Sequence, residues 1–172
     1  MHLEPATPAD LSALHALIES AYRGDSARRG WSHEADLLDG QRTDLDELHD
    51  ILADPARHLL VLRNGDRLAA CVALTDKGQD LTYLGLLTVD PARQAGGVGR
   101  LMLAAAEDHA AARLGATRIE MTVIAQRAEL IAWYTRRGYR PTGERRPFPA
   151  HDPRAGLPKR DDLEFVVLEK RL

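Results

Sequence analysis

The segment Val89-Asp90-Pro91-Ala92-Arg93-Gln94-Ala95-Gly96-Gly97-Val98-Gly99-Arg100 carries the chemistry most readily read from this chain. It joins an apolar, strand-like run over 81–89 to a helix-like run over 101–113. A glycine-rich turn before a helix leaves backbone N–H groups unpaired, and the helix dipole adds partial positive charge there. That combination suits a phosphate. Gly96, Gly97 and Gly99 admit a diphosphate with no Cβ in the way, and Arg93 and Arg100 add charge. The spacing argues against two common phosphate loops. A Walker A loop requires Lys and Ser/Thr after its last glycine, where Arg100 and Leu101 stand. A dinucleotide fingerprint requires a small residue where Met102 stands.

Bulk properties narrow the function classes. The 172 residues suffice for one domain over 1–172 with a sizeable core. A net charge of −3 gives no broad basic face for nucleic acid. The single cysteine, Cys71, lies in an apolar run, so a core thiol in a reducing cytosol is expected. The seven histidines are scattered with no metal-ligand spacing, so no metal is expected. No Gly-x-Ser-x-Gly elbow is present. No apolar run reaches the roughly 20 residues of a membrane span, and the opening Met1-His2-Leu3-Glu4-Pro5 lacks signal-peptide character. A cytoplasmic protein without membrane or nucleic-acid partners is the expectation.

The elements that must position the glycine turn follow from periodicity. A short strand is expected at 2–4, and a helix with Leu11, Leu14, Leu17, Ile18 and Ala21 on one face. A polar loop at 24–30, a helix near 32–38 and another over 44–52 come next. Asn64-Gly65 signals a hairpin between strands 58–62 and 67–75, and strand 81–89 completes three antiparallel strands. A helix over 97–114, a strand over 117–124 and a helix over 129–137 follow, closed at Gly115 and Gly138. Segments 139–143 and 163–170 form a last antiparallel pair. The proline-rich excursion between them is long enough to line a site, and a plain surface excursion fits it equally well. This order predicts an α/β (α+β) fold with a mixed, mostly antiparallel sheet of about six or seven strands and helices on both faces.

Two motifs in order give a family resemblance. Gln94-x-x-Gly97-x-Gly99 after Val89-x-Pro91 resembles the acetyl-CoA segment of GCN5-related N-acetyltransferases (GNAT). Ala132-Trp133-Tyr134-Thr135-Arg136-Arg137-Gly138-Tyr139 resembles the family's second hallmark, a helical tyrosine followed by Gly and an aromatic. The resemblance implies a sheet splayed between strands 4 and 5, here 81–89 and 117–124, with the pantetheine arm of acetyl-CoA in the gap. It implies cofactor contacts from Leu87, Thr88 and Val89, and from the backbone of Gln94, Ala95, Gly96, Gly97, Val98, Gly99 and Arg100. Two positions depart from the pattern. Arg127 stands where an asparagine is frequent and could meet a phosphate or the acyl arm, and Ala95 replaces a frequent glycine. Homodimers are one assembly the fold supports at exposed strand edges.

The implied reaction is acetyl transfer to a primary amine, with a small molecule as acceptor. A primary amine with a pKa near 10.4 is almost wholly protonated at neutral pH, so a base or water chain must deprotonate it. The resemblance makes Tyr134 the acid for the leaving thiolate. For the base, Glu34 and His33 both stand in Gly30-Trp31-Ser32-His33-Glu34, beside the expected acceptor pocket, and helix capping explains the same residues. Glu34 could instead bind an ammonium group. Trp31 could wall the pocket, and core packing explains it equally well; Asp36, Arg42 and Asp44 could add polar contacts, and helix solvation explains them as easily. Five arginines, Arg136, Arg137, Arg140, Arg145 and Arg146, form a cationic concentration; the 3′-phosphate of CoA could use one of them, and a solvated surface accounts for the rest. Acceptors on proteins, and an acyl-CoA sensor without turnover, remain the alternatives.

Overall fold

A computed structural model describes residues 2–172, with the side chains at positions 2 and 95 outside the described residues. The expectation for the Ala95 side chain therefore lies outside them as well. Seven strands form the central sheet: β1 (His2–Pro5), β2 (Arg57–Asn64), β3 (Arg67–Asp76), β4 (Leu81–Val89), β5 (Arg118–Ile124), β6 (Arg140–Pro147) and β7 (Glu164–Arg171). Their spatial order is β1-β2-β3-β4-β5-β7-β6, and only β4 and β5 run parallel. The mixed, mostly antiparallel sheet expected from the sequence is present.

Two apolar layers hold helices to the sheet. On one face, Leu14, Leu17 and Ile18 of α1 (Leu11–Tyr22) and Leu48 and Ile51 of α3 (Leu45–Ala53) pack on Leu59, Val61 and Cys71. On the other, Met102, Leu103, Ala106 and Ala110 of α4 (Val98–Leu114) and Tyr134 of α5 (Ala128–Thr135) pack on Leu60, Val72 and Met121. Each fully buried Leu or Ile contributes about 1.5–3 kcal/mol. Asp44 starts α3 by accepting the Glu47 N–H at 2.7 Å. Cys71 is a core thiol whose pKa burial pushes up to about 12, so it stays protonated and unreactive.

The parallel pairing of β4 and β5 covers only Leu81–Tyr83 against Arg118–Glu120. A hydrogen bond between the Tyr83 and Thr122 hydroxyls, at 2.8 Å, spans the start of the gap. Beyond it the strands diverge, as the resemblance implied. On the other edge of β4, Cys71 pairs Thr88 while Ala73 pairs Gly85, so Leu86 and Leu87 oppose Val72 alone. This is a β-bulge, and buried Leu86 takes φ +50° within it. A left-handed leucine costs of order 1–3 kcal/mol. Its carbonyl accepts the Thr88 hydroxyl at 2.9 Å.

The helix expected near 32–38 does not form. The Glu34 N–H donates to the Tyr22 carbonyl at 3.1 Å, and the N–H groups of Leu37 and Leu38 both return to the Glu34 carbonyl. That makes one turn, after which Leu38–Asp39 pairs as a short strand with Leu157–Pro158. So short a helix would be marginal, and here the Glu34 side chain is needed inside the protein. The loop at 24–30 contains a one-turn helix, α2 (Gly24–Ala27). β6 continues to Pro147, past the expected 139–143. No helix among the described residues is long and apolar enough to cross a membrane.

Candidate active site

Two cavities meet inside the splayed sheet. The first, of about 250 Å³, lies between the β4–α4 turn and α5 and is lined by Leu87, Val89, Gln94, Gly97, Gly99, Arg100, Trp133, Tyr134 and Arg137. The second, of about 240 Å³, lies between β4 and β5 and is lined by Arg23, Glu34, Arg42, Leu86, Val123, Phe148 and Phe165, among others. Tyr22, Leu87, Arg127, Leu130 and Tyr134 line both.

The first cavity gathers the glycine turn. Pro91–Gly96 forms a 3-10 turn capped by Asp90, whose side chain accepts the Ala92 N–H. Gly97 then takes φ +75° as the N-cap of α4. Side-chain residues are strained there, so glycine is required. The first intrahelical bond runs from the Leu101 N–H to the Gly97 carbonyl, leaving the N–H groups of Val98, Gly99 and Arg100 without helical partners. Arg137 lies over the Trp133 ring, 3.6 Å from its centroid, and donates to the Trp133 carbonyl at 2.7 Å. Burial, with Arg136 and Arg100 nearby, lowers the Arg137 pKa. Cations crowded beside free N–H groups form an anion site. Arg145 and Arg146 are instead paired, with Glu164 and with Glu120 and Glu144.

Tyr134 sits where the cavities join. It is 5% exposed, and its ring meets those of Trp133 and Tyr139 edge-on. Its hydroxyl has no hydrogen-bond partner among the described residues. Burial, reinforced by Tyr22 and Tyr83 against Arg127 and Arg137, raises its pKa above the ordinary value of 10, so it is protonated at neutral pH.

Glu34 departs from the expectation of a base. Its carboxylate is buried, accepting from Arg23 on one oxygen and from Arg127 on the other at 3.0 Å. Burial alone would raise its pKa, but Arg127, then Arg42 and Arg23, more than offset this and hold it below the ordinary 4.5. A carboxylate so stabilised is a poor proton acceptor. The sequence also offered an ammonium-binding role, and both oxygens are already occupied by guanidinium groups. Glu34 instead ties the 30–38 segment to α1 and to the start of α5.

Other expected residues are placed as follows. Trp31 is 44% exposed and lines the first cavity, 6.1 Å from Trp133, so it does not wall the second. His33 lines neither; its Nδ1 accepts the Ala35 N–H at 3.3 Å. Thr88 and Val98 point into the core. Arg127 borders both cavities, yet it donates to the Ser32 carbonyl and to Glu34, which leaves little of it for a cofactor. The Gln94 side chain is likewise engaged. It accepts the Trp31 N–H at 2.9 Å and donates to the Ser32 hydroxyl at 3.1 Å. Gly30 permits this approach, since a Cβ there would lie 2.5 Å from Gln94 Oε1.

Sequence reasoning missed Arg23, Tyr22 and the excursion's anchorage. Arg23 follows the last turn of α1 with no motif around it. Tyr22 donates its hydroxyl to the Leu87 carbonyl at 2.7 Å, holding the bulged strand. The proline-rich excursion is fastened over the second cavity. Lys159 Nζ donates to the Ala35 carbonyl at 2.7 Å and Arg23 donates to the Ala155 carbonyl at 3.3 Å.

Comparison with known proteins agrees with this geometry. A search of curated proteins gives no match. Among solved structures, a ribosomal-protein-alanine N-acetyltransferase from Brucella melitensis superposes with a TM-score of 0.73 at 19% identity, covering 100% of both chains. The ribosomal-protein-S18-alanine N-acetyltransferase from Escherichia coli gives 0.71 at 17% identity, covering 99% of this chain and 92% of that one. A variant of the spermidine N-acetyltransferase from Vibrio cholerae gives 0.70 at 15% identity, covering 99% and 95%. At these identities the likeness establishes the fold. The sequence model of the acetyltransferase (GNAT) family matches residues 15–139, which span both hallmark segments. This chain belongs to the GNAT acetyltransferase family.

Proposed function

We propose that this protein transfers the acetyl group of acetyl-CoA to the primary amine of a small molecule in the cytoplasm. The observation that carries the reading is the junction between these two cavities, with a Tyr134 hydroxyl on it that has no hydrogen-bond partner among the described residues. The first cavity fits the coenzyme's chemistry. Free N–H groups at Val98, Gly99 and Arg100 suit a diphosphate, and Arg100 and Arg137 suit a further phosphate. Leu87 and Val89 border the gap that would take the pantetheine arm. The second cavity is small and is bordered by Phe148 and Ala155 of the fastened excursion, which favours a small acceptor over an amino group on a folded protein.

Acetyl-CoA, when bound, supplies an acyl group joined to sulfur. The protein's residues do the rest. The amine enters the second cavity and attacks at the junction. The C–N bond forms, the C–S bond breaks, and the nitrogen loses one proton to solvent. Tyr134 donates a hydrogen bond from its phenol to the departing sulfur as negative charge develops there, and the thiolate leaves as the anion or takes its proton from solvent. Glu34, Arg23 and Arg127 keep the cavity wall in place without exchanging protons. The low pKa of Glu34 leaves deprotonation of the amine to water.

Calorimetry with acetyl-CoA, run beside thiol release across an amine panel, tests this reading. Binding with acceptor-dependent thiol release is expected. Tight binding with no thiol released for any acceptor would overturn turnover in favour of a sensor.

A further inference from the structure

The charge inventory of the second cavity is unbalanced. Arg23, Arg42 and Arg127 line it against one carboxylate, Glu34, a formal excess of two positive charges. Glu34 is already bonded to Arg23 and Arg127. Arg42 is left over. Its guanidinium has no hydrogen-bond or ion-pair partner among the described residues. The nearby Glu47 accepts from the Thr43 hydroxyl at 2.7 Å instead.

Arg42 is nonetheless held in place. Glu19 of α1 accepts its backbone N–H at 2.7 Å and that of Thr43 at 2.9 Å. Its guanidinium carbon lies 5.2 Å from the centre of the Tyr22 ring. Tyr22 in turn is fixed by the Leu87 carbonyl. Arg23 adds a second unmet need, since its buried Nε also lacks a partner. Glu34 and Glu47 act on the Arg42 guanidinium through space without bonding to it. A charged fork that is anchored, half-buried and free of direct hydrogen bonds beside a cavity is matched by a planar or tetrahedral anion. Leu86, Val123, Phe148 and Phe165 supply an apolar part of the remaining wall, beside the hydroxyl-bearing Tyr83, Thr122 and Tyr134.

We propose that the acceptor is a small amine that also carries an anion, a carboxylate or a phosphonate, on an apolar skeleton, and that Arg42 receives the anion. This identifies the acceptor class of the acetyl transfer proposed above and rests on that reading. An amino acid with an apolar side chain has all three features. A polyamine lacks the anion and meets an excess of like charge. The same excess disfavours the ammonium form of an amine in the cavity, which helps to supply neutral nitrogen where no unpaired carboxylate or imidazole lines the walls.

Matched pairs of acceptors test the inference. Leucine, methionine and phenylalanine are each compared with the amine lacking the carboxylate, with the corresponding aminophosphonate, and with spermidine. Thiol release gives kcat/KM for each. We expect at least a tenfold preference for the anionic member of a pair, and the aminophosphonate arm tells which anion is favoured. In R42Q the ratio within each pair falls toward one, and R42K retains part of it. Equal or better turnover of the amines lacking the carboxylate, or of spermidine, overturns the inference and leaves acetyl transfer standing. Calorimetry of N-acetylleucine into the CoA complex is the second readout. If no acceptor is turned over but N-acetylleucine binds in an Arg42-dependent manner, the anion site stands and the catalytic reading fails. Neither turnover nor binding overturns both.

Discussion

Replacing Tyr134 by phenylalanine removes one oxygen from the point where the cavities join. The hydroxyl has no partner among the described residues, so its loss breaks no hydrogen bond in the free protein. Phe fills the same space between Trp133 and Tyr139. Thermal stability is therefore expected to hold or rise slightly. The kinetic effect can be bounded. A thiol with a pKa near 8.5 faces a phenol whose pKa lies above 10, so complete proton transfer to the thiolate is uphill by at least about 1.5 units, or ~2 kcal/mol. Tyr134 then acts chiefly by a hydrogen bond to the sulfur as negative charge develops. Hydrogen bonds to charged groups contribute about 1.5–3 kcal/mol. That corresponds to a kcat lowered by about 10- to 150-fold. Steady-state thiol release with a competent amine measures kcat, and calorimetry measures acetyl-CoA affinity, which is expected to change less than about twofold, since the bond forms only as the sulfur departs. A Y134F protein with kcat within twofold of the parent would refute the placement of this hydroxyl at the sulfur.

Glu34→Gln leaves Arg23 and Arg127 without their shared carboxylate, and breaking a buried pair costs about 3–5 kcal/mol. For a chain of this length the melting temperature falls by about 6–20 °C. The folded pKa of Glu34 is lowered, so its contribution is complete above about 4.5 and is lost as pH falls through the lowered value. Melting curves against pH should show that acid loss in the parent and not in E34Q, and equal melting temperatures near neutrality would contradict the role. Arg137→Gln should weaken acetyl-CoA binding by about tenfold and reduce its salt dependence, because one charge facing a phosphate is gone. Calorimetry at two salt concentrations decides, and unchanged affinity would place the phosphate elsewhere. His58 Nδ1 and His109 Nε2 share a hydrogen bond at 2.8 Å, and burial, with His58 and Arg113 nearby, lowers the His109 pKa below 6.5. The unfolded chain takes that proton first, so the contribution is present above about 6.5 and lost as pH falls. His109→Gln should flatten the stability profile between pH 7 and pH 5, and identical slopes would exclude the pair as its source.

What the sequence determined is mostly local. The glycine turn, the strand before it and the helix after it are read from neighbours within a few positions, because backbone freedom and apolar period act at that range. The same holds for the Asn64-Gly65 hairpin, where Gly65 takes φ +61°. Motif spacing extended this to the family and to the gap between 81–89 and 117–124. The charged cluster was not legible. Glu34 meets Arg23 across 11 positions and Arg127 across 93. A carboxylate ahead of an apolar run reads equally as a helix-capping acid or as a base. Only burial between two guanidinium groups makes it an anchor. Gln94 illustrates the same limit, since its motif position suggested the coenzyme and its side chain holds the loop at Trp31, 63 positions away. The bulge at Leu86 likewise comes from sheet register, which no pattern in the run Leu81–Val89 displays. Tertiary structure decided which charges remain unpaired, because pairing depends on distance through space and on exclusion of water, and neither is written in the order of residues.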